Sequence, residues 1–157
     1  MTRSLPRRWT GLLLLVLTAA LAGCAGAPAP TTLKAQLVAA SAINPDLGGR
    51  PSPVVVRIYA LKASSAFENA DFFSLYDNEQ ATLKTDLLAR DELEMMPGGE
   101  KQISREFPPD VQYLGVVAAF RDIDQAQWRA IAPLKKESKN ALTIELGERS
   151  ISIRSGP

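Results

Sequence analysis

Few side chains in this sequence have the chemistry of a catalytic or metal-binding site. The 157 residues include one cysteine, Cys24, and no histidine. Zinc, iron and copper sites depend largely on imidazole and thiolate ligands, and catalytic triads and Cys-His dyads need histidine. The residue inventory therefore excludes metal sites of this kind, such catalytic groups and any disulfide within the chain.

Carboxylates are the remaining candidates for chemistry. An acid-base pair needs two groups at fixed positions, and the sequence offers Asp91 with Glu92 and Glu94, or Asp122 with Asp124. These groups lie on predicted strand edges and turns, where carboxylates are usually solvated. No spaced nucleophile, phosphate-binding glycine loop or oxygen-rich calcium loop accompanies them. We therefore expect no enzymatic activity, no metal site and no cofactor.

The single cysteine ends a distinctive segment near the N terminus. Arg3, Arg7 and Arg8 precede an apolar run from Leu12 to Leu17, and small residues then lead to Leu21-Ala22-Gly23-Cys24. This three-part organisation is typical of a secretory signal peptide. Only fifteen residues separate Arg8 from Cys24, whereas a spanning helix needs about twenty, so cleavage is favoured over a permanent transmembrane anchor.

The order Leu-Ala-Gly-Cys resembles the lipobox of bacterial lipoproteins. The resemblance implies that residues 1–23 are a signal peptide, that the Cys24 thiol receives diacylglycerol and that the new amine is acylated. The alternative is an ordinary signal peptide whose cleavage region happens to contain a cysteine. Because each buried methylene contributes about 0.8 kcal/mol, several acyl chains would retain the protein on a bilayer. Ala25 replaces the aspartate that commonly retains such proteins in the inner membrane, which favours the outer membrane.

The remainder of the chain has the size of one domain. Removing 23 of the 157 residues leaves 134, with 15 basic and 17 acidic side chains, so no basic surface for nucleic acid remains. Residues 24–32 are mostly alanine, glycine, proline and threonine, which predicts a lipidated tether. Leu33 is nine residues after Cys24 in the chain, so even a fully extended tether spans at most about 30 Å between them. Residues 33–157 form the predicted domain.

Three segments predict individual strands. Alternating apolar residues in Leu33–Ser41 indicate the first strand, although the alanines also allow a helix. Nearly continuous apolar runs in Pro53–Leu61 and Val111–Phe120 are typical of strands in the middle of a sheet.

The remaining strands are predicted around turns. Leu87–Met96 alternates and ends at Pro97-Gly98-Gly99, from which Lys101–Phe107 returns. Asn140–Leu146 and Arg149–Ile153 predict a terminal hairpin around the two-residue turn Gly147-Glu148.

Helical signals are short. Ser64 or Ser65 can cap short helices from about Ser65 to Tyr76, a further turn follows at Asn78–Leu83, and Gln125–Ile131 predicts a brief helix that Pro133 ends. About seven strands and few helices predict a mainly β, two-layered β-sandwich with a short helical insertion after the second strand.

Three surface or core features have two interpretations each. The segment Ile43–Pro53, with three prolines and two glycines, predicts an exposed loop that is either a connector or a recognition surface.

The lysines at 135, 136 and 139 predict a solvated connector, which we favour over contact with anionic headgroups because Glu137 interrupts them. An aromatic cluster indicates either core packing or a pocket for a small apolar ligand, and the latter gives the alternative function of a carrier or chaperone lipoprotein. Its residues are Phe67, Phe72, Phe73 and Tyr76.

Several segments, in order behind the lipobox, resemble the TssJ (VasD/SciN) family of type VI secretion outer-membrane lipoproteins. They are Asn44 with Gly49-Arg50-Pro51-Ser52-Pro53-Val54-Val55-Val56-Arg57-Ile58-Tyr59-Ala60-Leu61, Phe67 with Ala70-Asp71-Phe72-Phe73-Ser74-Leu75, Pro97-Gly98-Gly99-Glu100, and Leu114-Gly115-Val116-Val117-Ala118-Ala119-Phe120-Arg121-Asp122 with Trp128-Arg129. The resemblance implies a transthyretin-like sandwich, anchored in the outer membrane and facing the periplasm.

The same resemblance implies a partner and a binding loop. Members of the family bind the periplasmic C-terminal domain of the inner-membrane protein TssM, and TssL is a further component in the inner membrane. The loop between the first two strands makes the contact, which carries over to Ile43, Asn44, Pro45, Asp46, Leu47, Gly48, Gly49 and Arg50. We expect Ile43 and Leu47 to provide apolar anchoring, and Asp46 and Arg50 to set direction and register.

Overall fold

The structure is a computed structural model, and it describes residues 29–156. The predicted signal peptide (residues 1–23) and Cys24 lie outside the described residues, so their assignments stay predictions. Within the described range, no helix is both long and apolar enough to cross a membrane.

Eight strands form two four-stranded sheets, which confirms the predicted mainly β, two-sheet fold. The order is β4-β1-β7-β8 in the first sheet and β3-β2-β5-β6 in the second. The strands are β1 (Thr31–Ala39), β2 (Val54–Leu61), β3 (Leu87–Met95), β4 (Glu100–Phe107), β5 (Tyr113–Ala118), β6 (Arg129–Pro133), β7 (Lys139–Leu146) and β8 (Ile151–Ser155).

The central strands of the second sheet explain the continuous apolar runs in the sequence. β2 pairs antiparallel with β3 and with β5, so both predicted middle strands are confirmed. Val56 and Ile58 face the first sheet in the main core, whereas Tyr59 and Leu61 belong to a second core under the helices. Because both faces of these strands are covered, neither face needs polar residues.

Three short helices and a 3-10 turn cover the outer face of the second sheet, which confirms the predicted insertion after β2. They are α1 (Ser65–Asn69), α2 (Phe72–Asp77), α3 (Glu79–Leu83) and the turn Lys84–Asp86. A Cβ atom on Gly115 would lie 2.8 Å from the Phe67 ring, so glycine in β5 lets this ring pack directly on the sheet.

The first sheet contains a pairing that no local sequence signal indicates. β1 lies between β4, with which it is antiparallel, and β7, with which it is parallel. Lys101–Phe107 is confirmed as a strand that follows the Pro97-Gly98-Gly99 turn, but it does not pair with β3. The turn at Pro97-Gly98-Gly99 carries the chain across to the other sheet, where β4 forms an edge strand beside β1.

Two further predictions need correction. The segment Gln125–Ile131 does not form a helix, because Arg129–Pro133 pairs with β5 as an edge strand. An edge position tolerates Pro133, which has no N–H to donate. The terminal hairpin is confirmed, but β8 begins at Ile151, so the connection contains the four residues Gly147–Ser150.

The sandwich has two distinct ends. The tether end contains the start of β1 and the turns at residues 62–64, 84–86, 108–112 and 134–138. The loop end contains the β1–β2 loop (residues 40–53) and the turns at residues 96–99, 119–128 and 147–150. Backbone hydrogen bonds join the tether-end segments of the second sheet, including Gln112 N to Leu61 O at 2.9 Å and Leu134 N to Gln112 O at 2.8 Å.

Candidate functional site

The β1–β2 loop is fixed to the sandwich by Asn44. This residue is 3% exposed and has a positive φ of 50°, a conformation that asparagine tolerates better than most residues. Its Nδ2 donates to the Pro53 carbonyl at 2.7 Å, and its Oδ1 accepts from the Arg121 backbone N–H at 2.8 Å. Its own backbone N–H donates to the Glu148 carbonyl at 2.8 Å. Asn44 therefore joins three connections at the loop end.

The structure does not place Ile43 on the surface of the loop. Its side chain is 0% exposed and belongs to the main core with residues of both sheets. The expectation that Ile43 gives apolar anchoring to a partner therefore needs correction, since the residue instead holds the start of the loop against the core.

The tip of the loop is a turn organised by Asp46. Its Oδ1 accepts the backbone N–H groups of Gly48, at 2.8 Å, and Arg50, at 3.0 Å. Its Oδ2 accepts from Arg50 Nε at 2.8 Å, and Arg50 Nη2 also lies 2.8 Å from Oδ2. The backbone hydrogen bond from Arg50, followed by the bond from its guanidinium, lowers the pKa of Asp46. The loop thus has a defined shape before any partner binds.

Leu47 lies at the tip of this turn and is fully exposed. Leu47 lies within the turn that the Asp46 side chain closes by accepting the backbone N–H groups of Gly48 and Arg50. Gly49 has a φ of +78°, which glycine adopts without strain. Met96, in the β3–β4 turn at the same end, is also exposed. The fold therefore presents an apolar side chain on a fixed loop.

The loop borders an open depression with a volume of about 660 Å³. From the loop it is lined by Pro45, Asp46, Leu47, Gly48 and Arg50, and from the neighbouring turns by Arg121, Asp122 and Arg149. These last three residues were not predicted to belong to the site. Arg121-Asp122 lies three residues beyond the end of β5, so assigning strand directions would have indicated the place of these two residues at this end.

Charge at the depression is arranged in pairs. Arg149 Nε lies 3.6 Å from an Asp122 carboxylate oxygen, and Arg149 Nη1 lies 2.5 Å from Glu148. These groups are partly exposed, so the pairs contribute little to stability. They leave oriented charges of both signs around the exposed Leu47, which suits recognition of a protein surface.

The aromatic cluster under the helices is filled by protein. Phe67 and Leu75 are 0% exposed, and Phe72 stacks on Tyr76 with ring centroids 5.1 Å apart. The Tyr59 hydroxyl donates to the Leu75 carbonyl at 3.2 Å, and burial raises the pKa of Tyr59 to about 12. This packing supports a core role for Phe67, Phe72 and Tyr76, whereas Phe73 is exposed.

Trp128 and Arg129 hold this helical layer from the side. The Arg129 guanidinium donates to the carbonyls of Phe67, at 3.1 Å, and Ala70, at 2.6 Å. Trp128 packs edge-on against Phe72 with ring centroids 5.4 Å apart.

Three of the five carboxylates considered for acid-base chemistry form ion pairs. Asp91 accepts from Arg105 at 2.7 Å, Glu92 accepts from Arg57 at 2.7 Å, and Asp122 pairs with Arg149. Among residues 29–156, no group of three or more cysteine or carboxylate side chains is placed to hold a metal ion.

Comparison with known proteins identifies the family. The sequence profile of the T6SS-SciN family, described as the type VI secretion lipoproteins VasD, EvfM and TssJ, matches residues 31–149. The chain belongs to the type VI secretion lipoprotein family. The match covers all the strands up to β7 and the loop-end turns, so the family resemblance seen in the sequence is confirmed. No curated protein gives a significant match.

Solved structures agree with this assignment to the type VI secretion lipoproteins. The T6SS lipoprotein TssJ1 from Pseudomonas aeruginosa is 40% identical, with a TM-score of 0.79, over 82% of this chain and 98% of that chain. Lip from Serratia marcescens, a membrane-bound component of the type VI secretion system, is 25% identical, with a TM-score of 0.75, over 82% of this chain and 99% of that one.

A third similar chain comes from a structure described as a type VI membrane complex. It is 29% identical, with a TM-score of 0.69, over 81% of this chain and 98% of that chain. The protein is therefore a structural lipoprotein of the type VI secretion membrane complex, and its family is not an enzyme family.

Proposed function

We propose that the protein is anchored to the outer membrane through lipid on Cys24 and binds the periplasmic C-terminal domain of inner-membrane TssM, in a complex that also contains TssL. Family membership supports this role. Further support comes from a similar chain in a structure described as the TssM C-terminal domain from EAEC. That chain is 26% identical, with a TM-score of 0.62, over 81% of this chain and 98% of that one.

The exposed Leu47 on a pre-formed turn is the observation that carries the binding proposal. Leu47 is a fully exposed apolar side chain, so a partner that covers it lowers the free energy by removing apolar surface from water. The Asp46–Arg50 hydrogen bonds fix the turn beforehand, so little conformational entropy is lost on binding. Arg50 and the paired charges around the depression then set the orientation of the partner.

The opposite positions of the tether and the loop support a bridging role. The chain enters the sandwich at Thr31, at the tether end, whereas Leu47 lies at the loop end. The nine residues of β1 separate the two ends by about 30 Å at roughly 3.3 Å per residue. An anchored protein thus has its binding loop on the side remote from its attachment.

The binding proposal is tested by Leu47→Asp. We expect affinity for the TssM C-terminal domain to fall by at least about tenfold, because a charge replaces an apolar anchor at the centre of the contact. The measurement is isothermal titration calorimetry with the purified periplasmic domain of TssM. Folding is checked by the urea midpoint, which a substitution at a fully exposed position leaves nearly unchanged.

A matched control is Phe73→Asp. Phe73 is also a large exposed apolar residue, but it lies on α2, over the outer face of the second sheet, and does not line the depression beside the β1–β2 loop. Its replacement leaves affinity unchanged if the loop is the binding surface. Equal losses for the two variants, or unchanged affinity for Leu47→Asp, would overturn the assignment of the loop.

A further inference from the structure

Six of the seven lysines in the sequence lie at the tether end of the sandwich. The seventh, Lys101, is near the start of β4, at the loop end. The lysine rim, as we name the six, consists of Lys34, Lys62, Lys84, Lys135, Lys136 and Lys139.

The fold brings these lysines together from separate elements. Lys139 lies beside Thr32 at the start of β1, and Lys34 and Lys139 line the same depression of about 490 Å³. Lys62 follows β2, and its backbone N–H donates at 2.9 Å to the carbonyl of Asp86, which ends the turn begun by Lys84. In the sequence only the lysines at 135, 136 and 139 lie close together, interrupted by Glu137. The tertiary structure brings three further lysines to the same end of the sandwich.

The lysine rim is free to meet an external partner. All six side chains are exposed, and none forms an ion pair within residues 29–156. Two of the three arginines in the loop-end turns are instead paired, Arg50 with Asp46 and Arg149 with Asp122. Lysines on long flexible stems therefore carry the uncompensated charge of the tether end.

Carboxylates at the same end reduce this charge without cancelling it. Arg105 also lies at this end, but it pairs with Asp91. Apart from that pair, four carboxylates lie there, which leaves an excess of two positive charges; they are Asp86, Glu106, Asp110 and Glu137. The turns of the loop end have the opposite balance, with three arginines and four carboxylates; these are Arg50, Arg121, Arg149, Asp46, Asp122, Asp124 and Glu148. The charge distribution thus follows the axis between the two ends.

The lysine rim also lies where the chain enters from Cys24. Seven residue steps separate Cys24 from Thr31, so an extended chain between them reaches at most about 25 Å. Lipidation of Cys24 would therefore keep this end of the domain close to the bilayer. A set of lysines spread around one end also matches a charged plane better than it matches a pocket.

We propose that the lysine rim rests on anionic lipid headgroups of the membrane that holds the anchor, and so points the β1–β2 loop away from the bilayer. This inference rests on the proposed lipidation of Cys24. Because acyl chains already provide attachment, the lysines act on orientation. Each lysine near an anionic surface favours contact by about fivefold, so a pair contributes about 25-fold.

The test measures which end of the anchored protein faces the lipid. The full-length chain is produced with its own leader and reconstituted into vesicles of phosphatidylethanolamine and phosphatidylglycerol, or of phosphatidylcholine alone. A fluorescent donor is attached at Pro108→Cys, at the tether end, or at Leu47→Cys, and energy transfer to a headgroup-labelled lipid is recorded. We expect stronger transfer from position 108 on the anionic vesicles, and a smaller difference between the positions on neutral vesicles or in high salt.

Charge-matched variants identify the residues responsible. Lys135→Gln with Lys136→Gln should reduce the difference between the two label positions on anionic vesicles to near its neutral-vesicle value. Lys101→Gln with Arg121→Gln removes the same charge at the loop end and should leave the difference unchanged. Equal transfer from both positions, or equal effects of the two double variants, would overturn the proposal.

The same preparation separates this inference from the anchor itself. Flotation on neutral vesicles and the mass of the purified chain report lipidation of Cys24 directly. If flotation on neutral vesicles fails, the anchor assignment is wrong, and flotation on anionic vesicles then tests the lysines alone. Binding to anionic vesicles that is lost in the Lys135→Gln, Lys136→Gln variant supports the lysine rim, and no binding overturns it.

Discussion

At the scale of single residues, Asn44 has the largest structural role in the candidate site. It belongs to the segment that we assigned to partner binding, yet its side chain is buried and bonded to the protein itself. Its contacts join the β1–β2 loop to the segment after β5, and its backbone N–H reaches the β7–β8 connection. Asn44 therefore positions the proposed binding surface, and Leu47 is the exposed residue that we propose touches the partner.

Replacement of Asn44 by alanine should lower the free energy of unfolding by about 1 to 3 kcal/mol, because it leaves the Arg121 N–H and the Pro53 carbonyl without their partner. Urea denaturation of the purified chain measures the change. Asn69→Ala is a matched control, since Asn69 also bonds a backbone carbonyl, at 2.8 Å, but on an exposed helix. We expect it to cost less than about 0.5 kcal/mol, and an equal cost for both variants would contradict the role of Asn44.

At the scale of the element, the β1–β2 loop depends on an ionised carboxylate. Hydrogen bonds from Arg50 hold the pKa of Asp46 below its ordinary value. A depressed carboxylate pKa means that the stabilisation of the turn is fully present above the unfolded-state pKa and is lost as pH falls through the folded-state pKa. The loop should therefore keep its shape at neutral pH and loosen only in acid.

Nuclear magnetic resonance can follow this transition in the turn. The amide shifts of Gly48 and Arg50, whose N–H groups donate to Asp46, should change together at a pH below the ordinary aspartate pKa. The change should vanish in Asp46→Asn, which lacks the titrating group. The amide of Gly98, which donates to the Ala40 carbonyl at 3.1 Å in the same part of the molecule, should show no such transition. A midpoint at or above the ordinary value would show that the Asp46–Arg50 bonds are weak in solution.

At the scale of the whole molecule, the proposed attachment and the proposed binding loop lie at opposite ends of the two-sheet body. The first sheet connects them directly, because β1 begins at the tether and ends at the loop. β1 is also held on both sides, by β4 and by β7. Load applied between the anchor and the partner would therefore pass along a central strand with hydrogen bonds on both sides.

The substitution Cys24→Ser should separate these two functions. Folding and affinity for the TssM domain should stay nearly intact, since Cys24 precedes the first strand, whereas membrane anchoring and secretion should be lost. Membrane fractionation, calorimetry and a secretion assay measure the three properties. Leu47→Asp is the complementary variant, which should stay anchored and lose binding. Normal secretion by Cys24→Ser would contradict the bridging model.

The sequence by itself determined the features of the protein that depend on local residue patterns. Alternating and continuous apolar runs predicted seven of the eight strands, including both middle strands β2 and β5, and serines, prolines and glycines marked the helical insertion and the loop. The order of motifs indicated the family, which the profile match confirmed. These features were readable because they depend on neighbours a few residues away in the chain.

Only the tertiary structure decided which distant segments meet. The parallel pairing of β1 with β7, the crossing of β4 to the first sheet and the strand Arg129–Pro133 follow from long-range hydrogen bonding, which no local pattern encodes. For the same reason the fold placed Ile43 in the core, brought Arg121 and Arg149 to the loop and gathered six lysines at the other end. Burial and charge clustering are properties of the packed chain, so they became visible only when both sheets were in place.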